Sequence, residues 1–465
     1  MQLTSIRTST AIVLLLASCA CTVGPGYKRP AVTVPDQYRG LPPSPSTQPA
    51  GEPFAEMQWS AVFQDEVLQT LIKEALINNY DVRIAATRIL QAGAVLGITR
   101  ADQFPSVGAT GSLGNTRTQP FQGNSSVGSA YIQVSWILDF WGQYRRATEA
   151  ARANLLASEF GQKAVRITLI ADVANAYFQL RAFDSQLEFS QQTVEADKEI
   201  LKINTTKFKG GDAAITDEYQ AQLLVQQSEA EVISLQQSIE QTENQISILL
   251  GRNPGPVTRG LSLTAQPHPP EVPTGLPSAI LERRPDVRQA EESLVAANAN
   301  VGVAKAAFFP QISLTGAFGV QSTSLTSFLS GPTTAAWTAA GQVAQPIFEG
   351  GRITSNYRLA WAQRDQAELV YKQTVQQAFG DVSNSLVGYT QSRLYRVKLQ
   401  EQTATYKETA HLANVRFTGG YTSFLEVLVT QQQYFTSELA LSQAWFTEMN
   451  NYVQLYQSLG GGWQQ

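Results

Sequence analysis

Polar and apolar positions along this chain keep two rhythms, and each rhythm occurs twice. In the first, alternate residues share a character: Ala130, Ile132, Val134, Trp136 and Leu138 fall on one face, and Ser129, Tyr131, Gln133 and Ser135 on the other. Period two belongs to a strand, whose successive side chains point to opposite sides. The alternation returns in Ile312, Leu314, Gly316, Phe318 and Val320 against Ser313, Thr315, Ala317 and Gln321. It returns again in Trp337, Ala339 and Val343 against Thr338, Ala340 and Gln342, while Val107, Ala109 and Leu113 open a fourth run. The pattern predicts strands over about 106–115, 129–139, 311–321 and 335–347, each close to the length that a tilted strand needs to cross a bilayer.

The second rhythm is helical. Leu68 to Asp102 is rich in Ala, Leu, Ile, Arg and Gln, and Ser278 to Phe308 repeats that composition. Phe104-Pro105 and Phe309-Pro310 end these helices, because the residue before a proline is pushed out of the helical region. From Tyr144 to about Phe208, and from Thr354 to about Phe417, there is no proline and hardly any glycine. At 1.5 Å per residue each such run is a helix of roughly 95–100 Å, a coiled-coil rod rather than a helix of a globular domain. Gly210-Gly211 and Gly419-Gly420 then break the chain, and a return helix runs to Leu250 or Leu459. Ile215, Tyr219, Leu223, Leu235, Ile239, Ile246 and Leu249 give the first return helix an apolar seam for packing on its rod.

These elements form two copies of one unit. Asp81-Val82-Arg83 and Phe104-Pro105 recur 205 residues later as Asp286-Val287-Arg288 and Phe309-Pro310. Farther along the offset becomes 209, pairing Phe208 with Phe417, Gly210-Gly211 with Gly419-Gly420, and Leu250-Gly251 with Leu459-Gly460. Several pairs holding one offset indicate a true repeat. The copies span 61–250 and 278–460, with 251–277, rich in proline and glycine, as the linker and 461–465 as a tail. The fold class is therefore mainly α with a transmembrane β portion, a duplicated helix–strand–strand–helix unit.

Four strands cannot close a barrel, and a bilayer tolerates no open sheet edge, since each unpaired N–H or C=O there costs several kcal/mol. Neighbouring copies must supply the partners. Eight strands from a dimer would enclose a lumen filled by side chains, whereas twelve from a homotrimer leave a water-filled one, continued by a long helical barrel.

Composition narrows the setting. The net charge of −4 offers no basic excess for nucleic acid. Residues 1–18 carry Arg7, an apolar run from Ala11 to Ala17 and small residues ahead of a cysteine, which is a signal peptide too short to span a membrane. No later stretch approaches 18 consecutive apolar residues, so no spanning helix is expected. Leu16-Ala17-Ser18-Cys19 forms a lipoprotein box, which makes Cys19 the acylated first residue of the mature chain; Cys21 is the alternative. Residues 19–60 would then be an extended segment tied to outer-membrane lipid. These are the two cysteines of the chain, so the folded body has no disulfide.

An enzyme finds little support. His268 and His411 are the two histidines, His268 lies in the linker, and there is no metal-ligand spacing, nucleophile elbow or phosphate loop. No cofactor or metal is expected. Functional residues should instead line or close a tunnel. The rod-to-return turns, Phe208–Asp217 and Phe417–Glu426, are the candidate periplasmic gate and adaptor contact, through Gly210, Gly211, Asp212, Asp217, Glu218, Phe417, Gly419, Gly420, Tyr421 and Glu426. Glycine permits close backbone approach, and rings of acids select cations. Trp136, Trp141, Trp337 and Phe348 are candidates for the aromatic girdles of a membrane barrel, and Asp139 with Trp141-Gly142 for the cap of the first rod.

At this point the chain resembles the outer-membrane efflux proteins (TolC-like channels), especially their lipoprotein branch. The matching stretches are Cys21 to Pro30, Trp136 to Gly142, Arg283-Arg284-Pro285-Asp286-Val287-Arg288, Phe309-Pro310 and Gln345 to Arg352. The resemblance implies a homotrimer with a β-barrel in the outer membrane and a helical tunnel in the periplasm, docked by a periplasmic adaptor and an inner-membrane pump. It implies passive exit of drugs or other small molecules. The family commonly carries an aspartate where this sequence has Val429, so the acids available to a ring differ here. Export of proteins by a type I secretion system, and a periplasmic adaptor lipoprotein, are the alternative readings.

Overall fold

The computed structural model describes residues 22–35, 54–118, 123–267, 279–322 and 325–461. Cys19, Cys21, the signal peptide and His268 lie outside them. The first copy contributes α1 (Glu66–Asn78), α2 (Tyr80–Ala101), β1 (Ser106–Thr118), β2 (Gly123–Leu138), α3 (Gln143–Gly210) and α4 (Ile215–Leu249). The second contributes a turn of helix at Ile280–Arg283, then α5 (Pro285–Ala306), β3 (Gln311–Ser322), a short α6 (Leu325–Ser330), β4 (Thr334–Ala344), α7 (Arg352–Thr418) and α8 (Phe424–Ser458). The rods are thus 68 and 67 residues long and the return helices 35 each.

The helix expected as continuous from Leu68 to Asp102 is broken at Asn79. No glycine or proline marks the place. Asn79 ends α1 by donating its backbone N–H to Ala75 O, and its side-chain oxygen caps α2 by accepting from the amides of Asp81 (2.8 Å) and Val82 (3.3 Å). Its side-chain nitrogen donates to Leu249 O at 2.9 Å, so the end of α4 abuts the break. The second copy repeats the joint with other chemistry: Arg284, just before α5, donates to Ser458 O at the end of α8 (3.3 Å).

By length and composition Glu66–Ala101 could cross a membrane, which the sequence reading did not anticipate. Its division at Asn79 argues otherwise, as does α1, which buries Leu68, Leu71, Ile72 and Ala75 within the protein. Arg83, Arg88 and Arg100 on α2 are likewise costly in hydrocarbon.

Contacts divide the chain into two compact units. The first comprises Met1–Ala31, Thr87–Glu159 and Gln289–Gln373, and it holds the sheet. Strand order is β1-β2-β3-β4, all antiparallel, with β1 and β4 as edges. The registers Ala109↔Ile132, Ile132↔Phe318 and Phe318↔Trp337 carry one row of apolar side chains across all four strands, and Val107↔Val134, Val134↔Gly316 and Gly316↔Ala339 carry the next. That face is exposed, Phe318 at 66% and Trp337 at 74%. The opposite face is polar: the Ser112 and Ser129 hydroxyls lie 2.7 Å apart, and Tyr131 Oη donates to Gln321 at 2.9 Å. β2 begins six residues before its expected start, and β4 stops at Ala344 because Pro346 has no N–H to continue the ladder.

The same unit anchors residues 22–31. Val23 N–H donates to Trp141 O (3.1 Å), and Asn298 on α5 donates to Pro25 O (3.0 Å). Buried Glu291 accepts from both nitrogens of the Arg29 fork at 2.6 Å and from Tyr27 Oη at 3.1 Å. Gly24, at φ +113°, lies so close to Gly302 that a Cβ would stand 2.5 Å from the Gly302 Cα.

The second unit comprises Val32–Ala86, Phe160–Arg288 and Thr374–Gln465. Its core gathers Phe54, Phe63, Phe178, Tyr452 and Tyr456 in edge and tilted contacts at 5.3–6.4 Å. Beside it Asp65 caps α1 and ties the linker down, with Oδ2 accepting from Tyr177 Oη (2.8 Å), Leu261 N–H (2.9 Å) and Gln266 Nε2 (2.8 Å).

Candidate functional site: the hairpin tips and the sheet

Both rods end in the same way. Gly211 (φ +82°) donates to Phe208 O and Asp212 to Lys207 O, while Gly420 (φ +78°) donates to Phe417 O and Tyr421 to Arg416 O. This is the left-handed glycine closure of a helix, which a side chain with a Cβ adopts only with strain. It turns each chain back into α4 or α8 and seats both tips in one cluster of Ile200, Ala221, Leu224, Ala413, Phe424 and Val427.

The candidate acids separate into two pairs. Glu218 accepts from Thr205 Oγ1 at 2.9 Å. Glu426 accepts from Arg416 at 2.8 Å and also from the Thr422 hydroxyl. These carboxylates are held by their own hairpins. Asp217 lies half-buried in the first turn of α4, and Asp212 is exposed between Gly211 and α4.

The aromatics of the two tips are unequal. Phe208 is exposed, whereas Phe417 packs on Phe424 with centroids 5.5 Å apart and carries Lys207 Nζ over its ring at 3.8 Å. Tyr421 and Val429 are exposed. Sequence reasoning missed Lys207, Thr205 and Arg416; their signal was the spacing across each turn, legible only once the hairpin register is known.

At the sheet, Trp136 lies two residues from the end of β2 and donates Nε1–H to Gln103 O at 3.0 Å. Trp141 is half-buried, stacked on Phe309 at 4.7 Å and donating to Pro310 O at 2.7 Å, so it pins the joint between strand and rod. Asp139 accepts the Arg145 amide in the first turn of α3 (2.9 Å). Phe348, between β4 and α7, is 89% exposed. Trp337 pairs with Phe318 and is the fourth residue of β4.

Among the described residues no group of three or more His, Cys, Asp and Glu could hold a metal ion.

The family model for outer membrane efflux proteins matches residues 71–252 and 276–461. The chain is 32% identical to the cation efflux system protein CusC of Escherichia coli over 459 residues, 97% of each chain. It is 34% identical to the probable efflux pump outer membrane protein TtgC of Pseudomonas putida, covering 96% of this chain and 93% of that one. The open state of the Neisseria gonorrhoeae MtrE outer membrane channel superposes with a TM-score of 0.85 at 30% identity, over 95% of this chain and 98% of that one. With the match falling on both copies and the relatives aligning almost end to end, this chain belongs to the outer membrane efflux protein family.

Proposed function

We propose that three copies of this chain close into one twelve-stranded barrel in the outer membrane, continued into the periplasm by the paired rods, and that small molecules leave through it passively. The observation that carries this reading is the sheet, with one continuous apolar face, one polar face and two unpaired edge strands. Such a sheet fits a bilayer only if each edge meets another copy, β1 of one protomer beside β4 of the next. The apolar face then meets lipid and the polar face lines water.

The outer-membrane channel of an efflux system needs an inner-membrane pump for energy and a periplasmic adaptor to reach it. The tips Phe208–Asp217 and Phe417–Glu426 are the segments we assign to that adaptor and to the closed gate. Acylation of Cys19, with Cys21 as the alternative, would add a lipid anchor, and the docking of Val23, Pro25, Tyr27 and Arg29 would hold the anchored segment against the protein. No catalytic step enters this account.

The gate assignment is tested by single-channel recording in planar bilayers. The double variant Asp217→Ala, Glu426→Ala removes one acid from the first turn of α4 and one latch acid that ties Phe417–Glu426 to α7. Its conductance should exceed that of the parent, and an unchanged conductance would remove the gate from the tips.

A further inference from the structure

A cavity of about 430 Å³ opens between α3, α4 and α8 and shares Leu224 alone with the cluster that seats the tips. Two carboxylates line it, Asp197 of α3 and Glu231 of α4, and no lysine, arginine or histidine does. Asp197 is 4% exposed. The nearest ammonium along the chain, Lys198, is engaged with Glu195 and Glu229 at 3.3 and 3.4 Å, and α8 brings no charged side chain to the lining. The remaining wall is mixed, with the amides of Gln227 and Gln431 on one hand and Leu224, Phe435 and Leu439 on the other. Phe435 is backed by Phe189, stacked at 5.9 Å.

A buried carboxylate is costly unless a cation or several donors compensate it. Here the polar partner of Asp197 is the Ser228 hydroxyl, which already donates to Leu224 O and Val225 O at 3.1 and 3.2 Å. Burial accordingly pushes the Asp197 carboxyl up to about 6, with Ser228 acting against the rise. An anion would be repelled by both acids, and a neutral molecule would leave the charge uncompensated. A bare metal ion needs six or more oxygens at about 2.3–2.6 Å, which a cavity large enough for a small organic molecule does not gather.

We propose that this cavity is a binding site for a protonated organic amine, its ammonium set between Asp197 and Glu231 and its aromatic or aliphatic body against Leu224, Phe435 and Leu439. Every residue of the lining comes from one protomer. It requires Asp197 ionised, so binding weakens as pH falls through about 6.

Calorimetric titration of the purified full-length protein in detergent tests this, with phenylbutylamine as the probe and phenylbutanol as its uncharged match. At pH 7.5 the amine should bind and the alcohol should bind at least tenfold more weakly. At pH 5.0 amine affinity should fall about tenfold, the loss of ionised carboxylate for a group near 6. Asp197→Asn keeps the shape and removes a desolvated charge, and it should abolish the pH dependence together with at least tenfold of the affinity. Ala230→Leu, which keeps Asp197 and narrows the exposed mouth, should also weaken the amine. Equal amine affinity in Asp197→Asn and the parent, or equal affinity for amine and alcohol, overturns the proposal.

Discussion

Replacing Asp65 by alanine should release one corner of the second unit. The carboxylate is 1% exposed and accepts five hydrogen bonds, from the amides of Val67, Leu68 and Leu261, from Tyr177 Oη and from Gln266 Nε2. Alanine removes the cap of α1, worth about 1 kcal/mol. It also strands three donors on the Oδ2 side, each costing about 1–3 kcal/mol when buried without a partner. Because these groups share one site their effects overlap, and a loss of about 4–6 kcal/mol in local stability is expected. Amide hydrogen exchange followed by mass spectrometry reads the opening directly. At about 1.4 kcal/mol per tenfold, exchange of peptides containing Leu68 and Leu261 should accelerate by roughly a thousandfold or more, while β2 and β3 stay protected. Acceleration below about tenfold would show that Asp65 does not hold this corner together. The pH dependence follows from the same bonds. Burial alone would raise the Asp65 carboxyl, but its donors outweigh that and hold it below the ordinary 3.8. A carboxyl depressed in the folded state contributes stability that is present above the unfolded value and lost as pH falls through the folded one. Protection of the Leu261 peptide should therefore hold down to about pH 4 and fail below it.

Three further outcomes are expected. Gly302→Val places side-chain atoms where Val23 O and the Arg146 side chain now lie, so protease cleavage near Lys28 should rise while the sheet remains intact on gels. Glu291→Ala should produce the same cleavage by another route, because Arg29 and Tyr27 lose their shared acceptor. Mass spectrometry of the mature N-terminus should find an acylated cysteine at residue 19, and an unmodified amine there would remove the anchor.

Period-two alternation suffices to read a strand when its two faces meet different solvents, and Trp136 opposite Leu314 shows the faces aligned across the sheet. The rods were legible for another reason: over such lengths neither proline nor a left-handed glycine interrupts the ladder until Gly211 and Gly420. The break at Asn79 was not legible. It depends on a side chain that bridges two helices and a carbonyl at Leu249, 170 residues away. Asp65 was missed for the same cause, since its partners Tyr177 and Gln266 lie 112 and 201 residues along the chain. At the tips the glycines were readable and the fates of the acids were not. Whether a carboxylate meets a base across its own turn is decided by register, as Glu426 meets Arg416.

In the proposed trimer β1 of one copy lies beside β4 of the next. Paired cysteines test it most directly, since the native cysteines lie at residues 19 and 21, away from the sheet. One cysteine is placed at Gly108, Thr110 or Ser112 and the other at Thr338, Ala340 or Gln342, all on the polar face, and outer membranes are oxidised before denaturing electrophoresis. At least one combination should yield covalent dimers and trimers, end at the trimer and reverse on reduction. Monomers in every combination, or a ladder running past the trimer, would contradict it.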